Sequence, residues 1–288
     1  MKEIIISKEL SNQRIDKFLC RYLNAAPKTF IQKIIRKKII KINGKSTENS
    51  VILKENDIIN IFLADDTIFK FKDKKNYKKG KIDIIYEDKD MAILNKPPNL
   101  LTQPNIKNGD SLISRYISNI NSNLSEFNPV CINRLDRNTS GIVLIAKTLH
   151  SSQNLSKMMR EGKIYKFYLS IVCGEIKNSI DLKGYHNKER RGKFVINDDE
   201  YGEPVFTKIE PIEYKNGRTL LKIELITGKT HQIRAHLASI NKPIVGDMKY
   251  GKGKINERQL LHSYEIIINN RKFTAPIPND MIFWMNSL

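Results

Sequence analysis

One aspartate stands among groups that could put it to chemical use. In Cys131-Ile132-Asn133-Arg134-Leu135-Asp136-Arg137-Asn138-Thr139-Ser140-Gly141 it lies between two arginines and runs into Thr-Ser-Gly. The apolar run Ile142 to Ala146 follows. A polar loop opening onto a buried strand is where folds present reactive groups. Neighbouring positive charge keeps a carboxylate ionised, so Asp136 is a candidate catalytic group. The alternative is an aspartate that caps its own turn through the amide of Thr139 or Ser140. Other chemistries lack their motifs. Gly246, Gly251 and Lys252 have phosphate-loop spacing, but Gly253 stands where Ser or Thr belongs. Lys254-Ile255-Asn256 also gives poor support for the helix that motif requires. There is no GxGxxG fingerprint and no GxSxG elbow. His231 and His236 have no acid between them, which excludes an HExxH zinc pair. Cys20, Cys131 and Cys173 are far apart, so neither a disulfide framework nor a cysteine zinc site is expected.

The whole chain is the setting for that loop. Its 288 residues, 40% hydrophobic and 28% charged, suit two domains, or one large domain with a small attachment. The run Ile142 to Ala146 is too short to span a bilayer, and Ile4 to Ile6 is too short for a secretory signal. The expected setting is the cytoplasm, without membrane attachment. Fifty basic against 31 acidic residues give a net charge of +19, which points to a polyanion partner. Codon bias toward Lys, Ile and Asn would spread that excess evenly. Residues 1–80 instead hold 19 basic and 9 acidic side chains, so a nucleic-acid-binding module is expected near the start.

Within that module, Ile15, Phe18, Leu19, Tyr22 and Leu23 have helical spacing, and Pro27 suits the first turn of a second helix. The second helix carries Lys33, Arg36, Lys37 and Lys38 without an acid, over a buried face of Phe30, Ile31, Ile34 and Ile35. A solvated helix face is the bland alternative for that charge. Asn43-Gly44 predicts a hairpin, and Val51 to Leu63 predicts a strand pair turning at Glu55-Asn56-Asp57. The Lys-rich stretch Asp65 to Gly80 reads as a linker. Beyond it, strand-like runs occur at Ile82–Tyr86, Met91–Leu94, Ile142–Ala146, Phe167–Val172 and Leu220–Leu225. Helical stretches lie around Ser111–Ser122, His150–Glu161 and His231–Ser239. Their irregular alternation favours an α+β class over a doubly wound sheet. The expected domains are 1–64, a linker at 65–80, and 81–288.

Residues 12–64 resemble the alpha-L RNA-binding motif through Arg14-Ile15-Asp16-Lys17-Phe18-Leu19, the basic second helix, Lys41-Ile42-Asn43-Gly44 and Asn56-Asp57-Ile58-Ile59. Residues 81–288 resemble the RluA family of RNA pseudouridine synthases through four blocks in order. These are Asn95-Lys96-Pro97 with Leu100 and Pro104; Arg134-Leu135-Asp136 with Thr139-Ser140-Gly141; Lys166-Phe167-Tyr168 through Gly174; and Gly228-Lys229-Thr230-His231-Gln232-Ile233-Arg234. Gly246-Asp247, Tyr250-Gly251, Leu261-His262 and Ala275-Pro276-Ile277-Pro278 continue the match. The resemblance implies a small N-terminal RNA-binding domain beside a catalytic domain built on a mixed, mostly antiparallel central sheet with flanking helices.

It also implies isomerisation of uridine to pseudouridine without metal or cofactor. Asp136 would be the catalytic carboxylate, by attack as a nucleophile or by removing the C2′ proton. Arg234 would pair with it, the alternative being a phosphate contact or surface ion pair. Tyr168 would stack on uracil, the alternative being a core tyrosine. Ile233 would pack on the base's other side, or simply in the core. Arg134 would fill the gap left by the flipped nucleotide or hold its phosphate. Lys96 would contact phosphate, or be a solvated surface lysine. His231 and His262 read as structural hydrogen-bonding residues. Asn133, Gln103 and Lys229 depart from the usual His, His and Arg. The expected partner is RNA, chiefly large-subunit ribosomal RNA or a subunit precursor, bound by a monomer. Transfer RNA and a catalytically idle RNA-binding or assembly role are the alternatives.

Overall fold

Two β-sheets organise the chain, one in each of two units, in a computed structural model that describes residues 1–71, 79–105, 109–120, 127–188, 194–197, 202–253 and 257–286. The first unit is Met1–Tyr77 with Asn121–Asn128 and Thr148–His150. It contains β1 (Lys2–Ile5), α1 (Ile15–Tyr22), α2 (Lys28–Arg36), β2 (Ile40–Ile42), β3 (Lys45–Ser46), β4 (Ile58–Ile61) and α3 (Asp65–Phe71). Both helices bury the stripe their spacing predicts: Ile15, Phe18 and Leu19 from α1, and Ile31, Ile34 and Ile35 from α2. The sheet order is β1-β4-β2-β3. Asn43 and Gly44 both have positive φ, as the two-residue turn between β2 and β3 requires.

Two expectations change in this unit. Only the second half of Val51–Leu63 is a strand. The chain before it bonds to the approach to α1 instead, with Asn12 N–H to Leu53 O at 2.8 Å and Ile15 N–H to Val51 O at 2.9 Å. The stretch expected as a linker opens with helix α3. Its Ile68 is buried in the unit's core, and the Phe71 ring lies 4.5 Å from that of Phe30. Two apolar residues amid charge suffice to anchor a short helix, and composition averaged over sixteen residues hides them. Linker residues 72–78, helix positions 121–122 and the 254–256 stretch lie outside the described residues.

The second unit contains β5 (Asp83–Glu87), β6 (Met91–Lys96), α4 (Leu112–Asn119), β7 (Val130–Cys131), β8 (Ser140–Ala146) and, from Ser151 on, α5 (Leu149–Arg160). It continues with β9 (Ile164–Cys173), β10 (Ile180–Lys188), β11 (Phe194–Asn197), β12 (Glu203–Lys215) and β13 (Arg218–Leu225). Helix α6 (Gln232–Ser239), β14 (Leu261–Ile268), β15 (Arg271–Thr274) and α7 (Asn279–Asn286) complete it. Among the described residues the strands form an eleven-stranded sheet in the order β11-β10-β12-β13-β9-β14-β8-β6-β5, with β15 on β14 and β7 on β8. Every pairing is antiparallel except β14 with β8. The class is α+β, with the mixed, mostly antiparallel sheet that the resemblance implies.

Strand β8 is buried along its whole length, which explains its unbroken apolar run. Ile142, Leu144 and Ala146 share one core with Leu155 and Met158 of α5. Gly141 pairs with Ser263 at the parallel crossing, with φ of +106°. A Cβ there would lie 2.1 Å from the Ser263 carbonyl oxygen, so only glycine fits. Ser263 also pairs with Tyr168 across β14 and β9. The sheet therefore sets Tyr168 two strand spacings, about 10 Å, from the end of the Asp136 loop.

Candidate active site

The loop between β7 and β8 holds Asp136, and four consecutive carbonyls tie it down. Leu135 O accepts from Thr102 Oγ1 at 2.9 Å, and Asp136 O from the Thr139 amide at 3.1 Å. Arg137 O accepts from Lys96 Nζ at 3.0 Å, and Asn138 O from Arg258 Nη1 at 3.1 Å. Thr102 Oγ1 also accepts the Leu135 amide at 3.1 Å. The Thr139 amide thus serves the backbone turn and not the carboxylate. That sets aside the turn-capping alternative for Asp136.

The carboxylate meets Arg234 instead. Arg234 Nη1 donates to Asp136 Oδ2 at 2.8 Å. The two arginines beside Asp136 in sequence, Arg134 and Arg137, are exposed, so its paired cation comes from 98 residues away. Arg234 sits on α6, which is buried on every side from Gln232 to Leu237. Its Nε and Nη2 donate to the two oxygens of Asp247 at 2.7 and 3.0 Å. Asp247 is fully buried and also accepts the amides of Lys249 and Tyr250. Burial pushes the Asp247 carboxyl up, but Arg234 and these amides outweigh it and hold it below the usual carboxylate range. Burial would lower the Arg234 guanidinium, yet Asp247 and Asp136 raise it above its ordinary value. The result is a permanently charged fork with two prongs fixed and a third aimed at Asp136. Some 27% of the Asp136 side chain stays exposed, enough for a substrate atom to reach it.

His231 precedes α6 and brings Nε2 to 3.7 Å from the same Asp136 oxygen. Tyr168 is buried in β9, as the core-tyrosine alternative foresees. Its phenol is nonetheless hydrogen-bonded to Ser263 and feels the Asp136 charge. Burial first, with Asp136 adding to it, pushes that phenol up to about 12, so it keeps its proton at neutral pH. Ile233 is buried beside Arg234 on α6. Asn133 bonds across to β8, to Ile142 O at 3.2 Å and from the Leu144 amide at 2.7 Å, so this departure serves the sheet.

Lys96 is a correction. It is fully buried, neither a phosphate contact nor a solvated lysine. Its ammonium donates to the carbonyls of Pro97, Leu100 and Arg137 at 3.0, 2.8 and 3.0 Å. Burial, with Arg258 nearby, lowers it to about 7. It braces the Asp136 loop from below. Three further residues escape sequence reasoning as parts of this site: Asp247, Thr102 and Arg258. Asp247 was visible as a charge beside Gly246. Thr102 and Arg258 act on backbone carbonyls, a contact that leaves no mark in spacing.

In the first unit, Lys33, Arg36 and Lys38 line a cleft of about 870 Å³ with Thr29, Gln32 and Ser46–Ser50. Lys37 is exposed and does not line it. No helix among the described residues is long and apolar enough to cross a membrane.

The family described as RNA pseudouridylate synthase matches residues 90–239, and the S4 domain family matches residues 13–59. The chain is 34% identical over 304 residues to the ribosomal large subunit pseudouridine synthase C of Buchnera aphidicola subsp. Baizongia pistaciae, covering 96% of this chain and 94% of the relative. It is 30% identical over 276 residues to an uncharacterized RNA pseudouridine synthase of Mycoplasma genitalium, covering 93% and 88%. The structure of human RNA pseudouridylate synthase domain containing 4 shares the fold, with a TM-score of 0.59, 18% identity, and coverage of 71% of this chain and 92% of that one.

Proposed function

Because the chain belongs to the RNA pseudouridylate synthase family, of the RluA type, and carries an N-terminal S4 domain, we propose that it isomerises uridines of large-subunit ribosomal RNA with Asp136 as the reacting group. The activity is that of an isomerase acting on RNA. The reaction is redox-neutral: the bond from C1′ to N1 breaks, a bond from C1′ to C5 forms, C5 loses its proton and N1 gains one. One observation carries the assignment of Asp136: a part-exposed carboxylate aimed by a buried arginine that is itself locked by Asp247. Arg234 holds and aims the carboxylate for C1′ or C2′, whether it attacks as nucleophile or acts as base at C2′. The protonated Tyr168 ring is the stacking surface for uracil, with Ile233 on the base's other side. Arg134, exposed two residues before Asp136, holds the extruded nucleotide.

The ribosomal target is supported by the names of the relatives, which act on the large subunit. It is also supported by the basic cleft of the first unit, which suits structured RNA. The setting is the cytoplasm, where such RNA is modified. The test is tritium release from RNA labelled at C5 of uridine, comparing large-subunit RNA, subunit precursors and transfer RNA. Release from large-subunit RNA or its precursors supports the reading. Release from transfer RNA alone overturns the target but keeps the chemistry.

A further inference from the structure

We propose that His231 is a positioning residue for Asp136, presenting an Nε2–H to carboxylate oxygen Oδ2, with its tautomer set by the Tyr250 hydroxyl. This rests on the reading of Asp136 as the reacting group. His231 stands at the N-cap of α6 with φ of +58°, a left-handed conformation that a side-chain-bearing residue adopts only under constraint. That backbone turn delivers the ring to the carboxylate. Phe194 and Tyr250 both meet the ring edge-on, so it has one orientation. Nδ1 lies 3.1 Å from the Tyr250 hydroxyl oxygen. That oxygen accepts the Phe194 amide at 3.0 Å, and its own proton can go to Nδ1.

With Nδ1 accepting, a neutral imidazole carries its proton on Nε2. Nε2 faces Asp136 Oδ2 at 3.7 Å. The opposite tautomer would set a nitrogen lone pair against a carboxylate, which is repulsive. The ring is kept neutral chiefly by burial, which lowers its basicity despite Asp136. The 3.7 Å gap exceeds a hydrogen bond, but contacts to catalytic groups are often long in unliganded sites and tighten around substrate. Arg234 Nη1 holds the same oxygen at 2.8 Å. Both donors therefore converge on Oδ2. Among the described residues none bonds to Oδ1, which leaves that oxygen to meet the nucleoside.

The test is steady-state kinetics on C5-tritiated large-subunit RNA with wild type, His231→Leu, His231→Gln, Tyr250→Phe and the His231→Gln/Tyr250→Phe double variant. RNA affinity and thermal midpoint are measured for each. His231→Leu should lower kcat roughly 100-fold while KM stays within about twofold. His231→Gln, whose amide N–H replaces Nε2–H, should return kcat to within about fivefold of wild type. Tyr250→Phe should lower kcat alone but add nothing to His231→Gln, because an amide has no tautomer to set. Unchanged kcat in His231→Leu overturns the proposal. So does a His231→Gln variant as impaired as His231→Leu, or equal Tyr250→Phe penalties in both backgrounds. If His231→Leu fails to fold, the glutamine and Tyr250 variants decide. Wild type that releases tritium from no RNA overturns the proposed function and this inference together. An active wild type with an indifferent His231 overturns this inference alone.

Discussion

Among the described residues only one oxygen of Asp136 is engaged, and that side is built from inside the protein outward. Asp247 fixes Arg234, and Arg234 fixes Asp136. Removing the inner charge leaves a buried guanidinium with half its compensation. Asp247→Asn should therefore destabilise the second unit by roughly 3–5 kcal/mol in urea unfolding at pH 7. Asp247 also fixes the sign of a pH dependence. Its folded carboxyl lies below the unfolded value, so its stabilisation is present above that value and lost as pH falls through the folded one. Wild-type stability should decline in acid below about pH 4. Asp247→Asn should start lower and decline less over that window. Asp136 and Arg234 were legible in the sequence because each sits in a distinct motif. The resemblance also implied their pairing, which the fold makes across 98 positions. The Asp247 lock behind it was not legible, since only the folded chain brings that carboxylate onto Arg234.

At the scale of elements, the loop after β7 is a platform whose rigidity comes from side chains elsewhere. Thr102 takes both the carbonyl and the amide of Leu135. Thr102→Val keeps the shape and removes both bonds, leaving two buried backbone groups unpaired. The expected cost is about 1–3 kcal/mol in stability, measured by urea unfolding, with a fall in kcat larger than any change in KM. An unchanged kcat would mean that the loop is rigid without this clamp. Strands β6, β8, β9 and β13 were readable from apolar runs because both faces of a central strand are buried. Helix α3 was not, because Ile68 and Phe71 lie within a charged stretch. Lys96 was misplaced for the opposite reason. A lysine reads as surface, and only three convergent carbonyls make its burial tolerable.

For the whole molecule, we propose that the net charge of +19 and the cleft lined by Lys33, Arg36 and Lys38 serve RNA binding, while the chemistry lies in the second unit. Replacing those three residues by glutamine should weaken RNA binding and reduce the slope of log affinity against log salt by roughly 2–3. An unchanged slope would remove this cleft from the interface. The central claim is that Asp136 is the group that breaks and remakes the glycosidic bond. Its most direct test compares wild type with Asp136→Asn for tritium release from C5-labelled large-subunit RNA, alongside RNA affinity. The expected result is release by wild type, none by Asp136→Asn, and equal affinity for both. Release by Asp136→Asn at the wild-type rate would contradict the account and move the chemistry to another residue.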